Sequence, residues 1–521
     1  MNKNLLTGIL LFLFSITLSL YNLTASGRWT DEFFYVSKGH HTIELLKKGL
    51  VTHPYFLVEG ADHPLTAVYV YGLASYLDLT YIDHAHIVPE VGLYQPHFDY
   101  DLFFTRLIAV VVSALSVLLT YIFCLRFFSY FVAVASSSIL MTLPHFLGYS
   151  QKVSLESWCV LTFSLAVVFC FEYLRSKKLI YAILIGIFSG VTLTVKQSNI
   201  LIFPFLVLTF SYYKYFLKDK NLSYKSVFVV ALTTIITIFI TYPMPFLNPQ
   251  TFWHTTYDAW FVNGGKIPEL IFGKMIGAPI VYYFIAISIT TPLIILILLL
   301  TGGFEIIRTK RKPLYITLLI WFVVPFFMMF FAARQHMVRY IIQVYVPMAI
   351  ISAIGLKAIA PIFIKDKRFH LLILVPVVVY SMVIIFQTTP YYLTYYNELI
   401  GGTKRVYSEK LFLLGWFSEG LKSVSNYIKN NVTPGSRIGY AVNAGFGAVD
   451  QIPGYTHLRY DKNLEYDYVV VTVFDVTRGG FDEKTLLPKY KAVYEEKGNG
   501  LVVARIYKNR SKVGPDTKLL Y

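Results

Sequence analysis

The 521-residue chain is too apolar for a soluble protein. Hydrophobic residues make up 56% of it and charged residues only 15%, whereas soluble domains average about 45–50% and about 25%. The net charge of +16 would suggest a nucleic-acid partner in a soluble chain, but here the lysines and arginines sit mostly in short loops between apolar runs. The composition therefore excludes a soluble globular fold and predicts an all-α polytopic membrane protein.

About eleven apolar runs are predicted to span the membrane, because each approaches the ~20 residues that cross a hydrocarbon core. They cover residues 5–23, 102–123, 128–144, 154–174, 179–195, 198–217, 226–245, 277–300, 314–333, 340–360 and 370–389. The first run also resembles a signal peptide with a cleavage site near Ala25-Ser26. In either case the loop that contains residue 28 is expected on the outer side of the membrane.

Charge orients these spans. Lysine and arginine are far more frequent in one alternating set of loops than in the other, so the positive-inside rule predicts a cytoplasmic N-terminus and an extracytoplasmic C-terminus. All long polar segments then lie on the outer side of the cell membrane. They are an outer loop at 24–101, a second outer loop at 246–276, and the segment 390–521.

The outer segments contain secondary structure of their own. In the first loop, Glu32 to Leu50 reads as a helix, and Pro64 to Leu77 as a short interfacial or re-entrant helix. Residues 390–521 show a helix near 416–430 and strand-like runs at 436–442, 466–474 and 501–507. The chain is therefore predicted to consist of a transmembrane domain, 1–389, and a small α/β extracytoplasmic domain, 390–521.

The adjacent acids Asp31 and Glu32 follow the first span closely. As residues of a helix's first turn after Thr30 they would favour the helix N-terminus, which explains them without any catalytic role. A carboxylate here could instead act as a general base toward an acceptor hydroxyl. Both interpretations stay open at this point.

His63 lies later in the same outer loop, before Pro64, which is suited to the first position of a helix. His63 with Asp62, Asp31 and Glu32 could hold a divalent metal, although the spacing is no recognised zinc pattern. A polar residue before a helix is the simpler interpretation. No cofactor is firmly implied.

Several cations remain at span ends on the otherwise cation-poor outer side. They are Arg106, Lys196, Arg334 and Arg339. Each could simply extend toward the interface, but together they could bind a lipid phosphate and stabilise its charge as it leaves. Glu156 enters the fourth span from the same side, where a carboxylate is costly unless paired or functional. Lys152 is its expected structural partner.

The order and sidedness of these motifs resemble a known superfamily, the polytopic C-type glycosyltransferases that use a polyprenyl-phosphate sugar donor, such as protein O-mannosyltransferases and aminoarabinose transferases. The carrying motifs are Trp29-Thr30-Asp31-Glu32, His63-Pro64, Arg106, Glu156, Lys196-Gln197-Ser198, Arg339-Tyr340 and the segment PYYLTYYNELIGG. They span most of residues 1–400.

The resemblance implies a C-type glycosyltransferase fold, a donor sugar on polyprenyl phosphate and a site at the outer membrane surface. By matching, Asp31 would be the base or the acid that orients the acceptor, with Glu32 beside it. Arg106 and Lys196 would face the lipid phosphate. The sequence departs from the pattern where His63 is followed by one proline, and residues 390–521 are not a sugar-binding trefoil, which puts protein acceptors of the eukaryotic kind in doubt.

The sequence thus predicts a membrane glycosyltransferase whose partners are the lipid-linked donor, the bilayer, and a glycan, lipid or protein acceptor. A polytopic transporter or flippase is the first alternative, but it should carry ionisable residues at the membrane midplane. A non-catalytic envelope-assembly protein is the second alternative, with residues 390–521 as its functional part.

Overall fold

The computed structural model describes residues 3–50, 66–82, 101–258, 268–309, 312–331, 337–415, 419–441, 452, 454–478 and 481–512. In the first half of the chain these residues form α1 (Lys3–Leu20), α2 (Thr30–Lys47), α3 (Thr66–Tyr81), α4 (Phe103–Phe127), α5 (Tyr130–Met141), α6 (Pro144–Ser150), α7 (Leu155–Ser176), α8 (Leu179–Val195), α9 (Ile202–Ser211) and α10 (Tyr224–Thr241). A 3₁₀ turn, Gln197–Leu201, leads into α9, and a π-helical turn, Tyr212–Phe216, follows it.

The second half begins with α11 (Met244–Leu247), α12 (Pro249–Tyr257) and an antiparallel hairpin of β1 (Glu269–Ile271) and β2 (Lys274–Ile276). It continues with α13 (Tyr282–Thr290), α14 (Leu293–Arg308), α15 (Lys312–Val323), α16 (Met328–Phe331), α17 (Tyr345–Phe363), α18 (Leu374–Thr388) and α19 (Gly402–Ser408). The 3₁₀ turns Val324–Phe327, Arg339–Val344, Lys367–Ile373, Tyr392–Thr394 and Glu398–Ile400 connect or extend these helices.

All eleven predicted spans fall on helical segments, but they differ in form. Six helices of the described chain are long and apolar enough to cross a membrane: Lys3–Leu20, Phe103–Phe127, Leu155–Ser176, Tyr224–Thr241, Arg339–Phe363 and Lys367–Thr388. The pair α5 and α6, bent by 67°, makes a seventh if it counts as one span. The bend falls at Pro144, and another predicted span breaks between α13 and α14 at Pro292, because proline cannot donate a helical hydrogen bond.

Small residues let the helices of the bundle approach closely, as membrane helices commonly do. In α14, a Cβ atom on Gly302 would lie 1.9 Å from the carbonyl oxygen of Ile351 in α17. The contact is mutual, since a Cβ atom on Gly355 of α17 would lie 2.1 Å from the carbonyl oxygen of Leu298. Any side chain larger than hydrogen would force these two backbones apart.

The described residues between the first two long apolar helices form the helical pair α2 and α3, so both predicted helical stretches are confirmed. The two helices cross at Gly39 and Gly72, where a Cβ atom on Gly39 would lie 2.4 Å from the carbonyl oxygen of Val68. At the end of α3, the Asp78 carboxylate accepts the backbone N–H of Phe104, at 2.7 Å. The pair is thereby fixed to the start of α4.

The C-terminal residues form a small mixed sheet with one long helix. Helix α20 (Leu421–Asn431) precedes β3 (Arg437–Tyr440), β4 (Thr456–Arg459), β5 (Tyr468–Thr472), the short α21 (Val473–Thr477), β6 (Tyr490–Gly498) and β7 (Leu501–Asn509). The strand order is β4-β3-β5-β7-β6, with parallel pairs around β3 and antiparallel pairs around β7. The predicted helix and three strands are confirmed, whereas β4 and β6 were not predicted.

The apolar face of α20 covers this sheet. Leu421, Val424 and Ile428 share a buried cluster with Ile438 and Ile506 of the strands. Polar contacts join the unit to the helical part of the chain. The Tyr391 hydroxyl donates to Oε1 of Glu496 at 2.8 Å, and Nζ of Lys422 donates to the carbonyl oxygen of Thr24 at 3.1 Å.

Candidate functional site

The first turn of α2 presents the two adjacent acids in different directions. Trp29 occupies the position before the helix, and its backbone N–H donates to Oε2 of Glu32 at 2.6 Å. Glu32 therefore closes the first turn, as the helix-capping interpretation expects for an acid near a helix N-terminus. The side chain of Asp31 is instead about one-third exposed, at 34%.

Glu32 forms a fully buried ion pair with Arg106 of α4. The guanidinium donates to both carboxylate oxygens, with Nε at 2.9 Å from Oε1 and a terminal nitrogen at 2.7 Å from Oε2. The same carboxylate accepts the N–H of Val153, at 2.8 Å, and Arg106 donates further to the carbonyl oxygens of Leu23 and Gly27. The pair ties together α2, α4, the turn before α2 and the start of α7.

This geometry departs from the expectation that Glu32 is catalytic and that Arg106 faces a lipid phosphate. Both side chains are fully buried, and the guanidinium is engaged by carboxylate and carbonyl oxygens of the protein. Burial by itself raises the pKa of Glu32, but the charges of Arg106 and Lys152 more than offset it, so the pKa lies below its ordinary value. Glu32 therefore stays ionised and holds the turn that carries Asp31.

Asp31, Glu156, Lys196 and Arg339 meet in one group, which we call the charge cluster. Arg339 donates to Oδ2 of Asp31 at 2.7 Å and, through Nε, to Oε1 of Glu156 at 2.6 Å. Nζ of Lys196 donates to the same Glu156 oxygen, at 2.7 Å. Two cations thus share one carboxylate oxygen, and one of them also reaches the second acid.

The four side chains of the charge cluster differ in how deeply they are buried. The Glu156 side chain is fully buried, those of Arg339 and Lys196 are 11% and 13% exposed, and Asp31 is the most open. Oε2 of Glu156 is buried and has no hydrogen-bond partner in the described part of the chain. Glu156 therefore forms the floor of the cluster, the two cations form its middle, and Asp31 lies at its mouth.

Aromatic rings hold both cations in place. The Arg339 guanidinium lies 4.7 Å from the ring centre of Trp29, and Nζ of Lys196 lies 4.5 Å from that of Tyr340. A terminal nitrogen of Arg339 also lies 3.4 Å from the Tyr35 hydroxyl. Burial raises the pKa of Tyr35 well above its ordinary value, so this hydroxyl stays protonated.

These aromatic residues were not among the predicted site residues, although the sequence contains a signal for two of them. Tyr35 lies four residues after Asp31 in α2, which places both on one face of the helix. Tyr340 follows Arg339 directly. Trp29 begins the motif that carries the acids. Its contact with Arg339 could not be read from the sequence, because the two residues are far apart in the chain.

The remaining predictions have mixed outcomes. His63, Asp62 and Arg334 lie outside the described residues, and within the described ones no three His, Cys, Asp or Glu side chains are grouped closely enough to hold a metal ion. The expectation that Lys152 pairs with Glu156 is wrong. The buried Nζ of Lys152 donates to Oγ of Ser26 at 2.6 Å and to the carbonyl oxygen of Gly27 at 3.0 Å, and so supports the turn before α2.

Comparisons with known proteins agree with this architecture. Residues 58–256 match the model of the dolichyl-phosphate-mannose-protein mannosyltransferase family. The whole fold superposes on the crystal structure of ArnT from Cupriavidus metallidurans bound to undecaprenyl phosphate, with a TM-score of 0.52 and 12% identity, over 98% of this chain and 99% of that one. The chain has the C-type glycosyltransferase fold.

A second solved structure extends the likeness. The archaeal oligosaccharyltransferase AglB from Archaeoglobus fulgidus, in complex with an inhibitory peptide and a dolichol-phosphate, matches with a TM-score of 0.50 and 12% identity, over 99% of this chain and 75% of that one. No curated protein sequence matches the chain. The resemblance read from the sequence is confirmed at the level of the fold, and the chain is an integral multi-pass membrane protein.

Proposed function

We propose that this protein transfers a sugar from a polyprenyl-phosphate-linked donor to a glycan, lipid or protein acceptor on the outer face of the cell membrane. The charge cluster carries the proposal, because a candidate base and two phosphate-binding cations meet there. The fold supports it, since the similar ArnT and AglB structures are described as complexes with undecaprenyl phosphate and dolichol-phosphate. The orientation rests on the positive-inside rule.

In the proposed reaction, Arg339 and Lys196 bind the phosphate oxygens of the donor. The phosphate competes with Asp31 for Arg339 and frees this carboxylate to accept a hydrogen bond from the acceptor hydroxyl. The hydroxyl oxygen attacks the anomeric carbon while its proton passes to Asp31. The bond from that carbon to the phosphate oxygen breaks, and its electron pair leaves with polyprenyl phosphate, whose charge the two cations stabilise. A single displacement inverts the anomeric configuration.

Three further residues position the reacting groups in this scheme. Glu156 accepts hydrogen bonds from both cations through one oxygen. Two positive charges this close repel each other, and the carboxylate between them offsets that repulsion. The buried pair of Glu32 and Arg106 fixes the first turn of α2, and so fixes Asp31. These are positioning roles, because both members of that pair are enclosed by protein atoms.

The test is transfer of a radiolabelled sugar from a lipid-phosphate donor in membranes that contain the Asp31→Asn variant. Loss of a positioned base lowers rates about 10²–10⁴-fold, and we expect a loss of that order. The matched control is Asp366→Asn, which also breaks an Asp–Arg contact, at 2.8 Å to Arg368, but on the exposed surface. It should transfer at the normal rate.

Undiminished transfer by Asp31→Asn would show that Asp31 is not the base. If wild-type membranes move the lipid-linked sugar across the bilayer without forming a new glycosidic product, the protein is a transporter and the proposal fails. If the wild type neither transfers nor moves the sugar, while removal of residues 390–521 abolishes its cellular role, an assembly protein is the better description.

A further inference from the structure

A second candidate site lies far from the charge cluster, between α9, the π-helical turn and α10. It is a groove of about 290 Å³. Its lining residues are Phe203, Leu206, Val207, Phe210, Ser211, Lys214, Tyr215, Leu222, Ser223, Tyr224, Val227, Val230, Ala231 and Thr234. Most of them are apolar, and Lys214, Tyr215, Ser223 and Tyr224 lie together where the π-helical turn and the start of α10 meet, so the groove has a polar end and an apolar length, as a lipid has.

The polar end of the groove lies well away from the charge cluster along the chain. Lys196, in the cluster, and Lys214, in the groove, are connected by a continuous run of helical turns. At about 1.5 Å per residue these 18 residues span about 27 Å, close to the thickness of the hydrocarbon core. The groove is therefore separate from the charge cluster, and we place it in the other leaflet.

The polar end is built for an anion. Nζ of Lys214 donates to the carbonyl oxygen of Leu222 at 2.8 Å and lies 5.0 Å from the ring centre of Tyr224. Its two other N–H bonds have no acceptor among the residues that the structure describes. The N-terminus of α10, an 18-residue helix, begins at the same place and carries the positive end of the helix dipole.

The surrounding charge favours the same occupant. Lys218, Lys220 and Lys225 are exposed beside the groove. Asp219 is the acid of this segment, and its carboxylate is already paired with Lys177. A cluster of lysines at a membrane boundary attracts anionic lipid headgroups, by about 1 kcal/mol for each lysine.

We propose that the groove binds one anionic glycerophospholipid. An acyl chain lies against Leu206, Val227 and Ala231, and the phosphate of the headgroup accepts hydrogen bonds from Lys214 at the N-terminus of α10. The apolar part of the groove opens toward the bilayer, because Val227 and Ala231 are exposed on α10. A lipid chain therefore reaches it without leaving the membrane. This inference is independent of the proposed transfer reaction.

The experiment measures lipids retained by the full-length protein after purification from vesicles of equal phosphatidylglycerol and phosphatidylcholine, by native mass spectrometry. We expect one phosphatidylglycerol per protein in preference to phosphatidylcholine. Lys214→Gln should weaken retention about fivefold, the loss of one lysine contact. The control Lys178→Gln removes an exposed lysine outside the groove and should leave retention unchanged.

A second pair of variants tests the apolar part. Ala231→Trp fills the groove and should displace the lipid, whereas Leu232→Trp, on the neighbouring lipid-facing position, should not. Equal retention of the two lipids, or equal effects of Lys214→Gln and Lys178→Gln, would overturn the proposal. Displacement of the bound lipid by glycerol 3-phosphate would show that the phosphate alone is recognised, and would also overturn it.

Discussion

Arg339 offers the sharpest test of the charge cluster, because it joins both acids. Its Nε lies 2.6 Å from Glu156 and a terminal nitrogen lies 2.7 Å from Asp31. Arg339→Gln removes the charge and both contacts. Arg339→Lys keeps the charge, but one ammonium cannot reproduce the fork that spans the two carboxylates.

The structure sets the size of the expected effects. Glu156 is fully buried, and removing one partner of a buried pair costs about 3–5 kcal/mol. Lys196 still contacts this carboxylate, so the loss of stability in Arg339→Gln should fall at the lower end of that range. For transfer, loss of a preorganised donor to a leaving oxyanion costs about 10²–10³-fold in rate.

Two measurements separate stability from chemistry. Thermal unfolding of the purified protein in detergent reports the first. The transfer rate from the lipid-phosphate donor, normalised to the folded fraction by size-exclusion chromatography, reports the second. Compared with Arg339→Gln, Arg339→Lys should restore most of the stability but a smaller part of the transfer rate, because two parallel donors bind a phosphate more strongly than one ammonium. Arg368→Gln, which breaks an exposed Asp–Arg contact, is the matched control and should change neither.

Either of two results would contradict these roles of Arg339. A wild-type transfer rate per folded molecule in Arg339→Gln would show that the guanidinium does not contact the reacting phosphate. A wild-type melting temperature in the same variant would show that Glu156 is not held by Arg339 in solution.

Three other variants test the fold and its electrostatics. Glu32→Gln leaves Arg106 buried without its anion and should lower the free energy of unfolding by about 3–5 kcal/mol at neutral pH. Because the pKa of Glu32 is lowered, the difference in stability from the wild type should vanish only as the pH falls below the ordinary carboxyl range. Gly302→Ala should reduce the yield of folded monomer on size exclusion, while Gly303→Ala, whose added Cβ meets nothing within 4 Å, should not. Burial raises the pKa of Glu269 to about 8, so melting curves should show wild type losing stability relative to Glu269→Gln as the pH rises from about 5 to about 8.

Much of the architecture was predictable because it depends on local properties of the sequence. A run of about 20 apolar residues must cross the bilayer as a helix, since no water is available there to satisfy the backbone. The predicted runs fall on helical segments, and six helices of the described chain are long and apolar enough to cross a membrane. The strands β4 and β6 were missed because they carry too many polar residues, as in the segment 490–498, for a clear alternation to be read.

All four members of the charge cluster were predicted as site residues from the sequence, but one pairing was predicted wrongly. Asp31, Glu156, Lys196 and Arg339 stand out as charges at or near span ends. Lys152 was assigned to Glu156 because it is one turn away in sequence, yet it bonds the turn before α2. A single sequence suggests ion-pair partners mainly among neighbouring residues, because it does not show which distant residues come together in the fold.

The sequence by itself determined the class of the protein, the number and place of its apolar segments, and the residues from which a site could be built. Tertiary structure alone decided how those charges pair. Glu32 contacts Arg106, 74 residues away, and Asp31 contacts Arg339, 308 residues away. Adjacent acids therefore have separate roles, one buried within the scaffold and one open at the mouth of the cluster. The physical reason is that hydropathy and net charge are sums over a segment, whereas an ion pair depends on the direction in which each side chain leaves its helix.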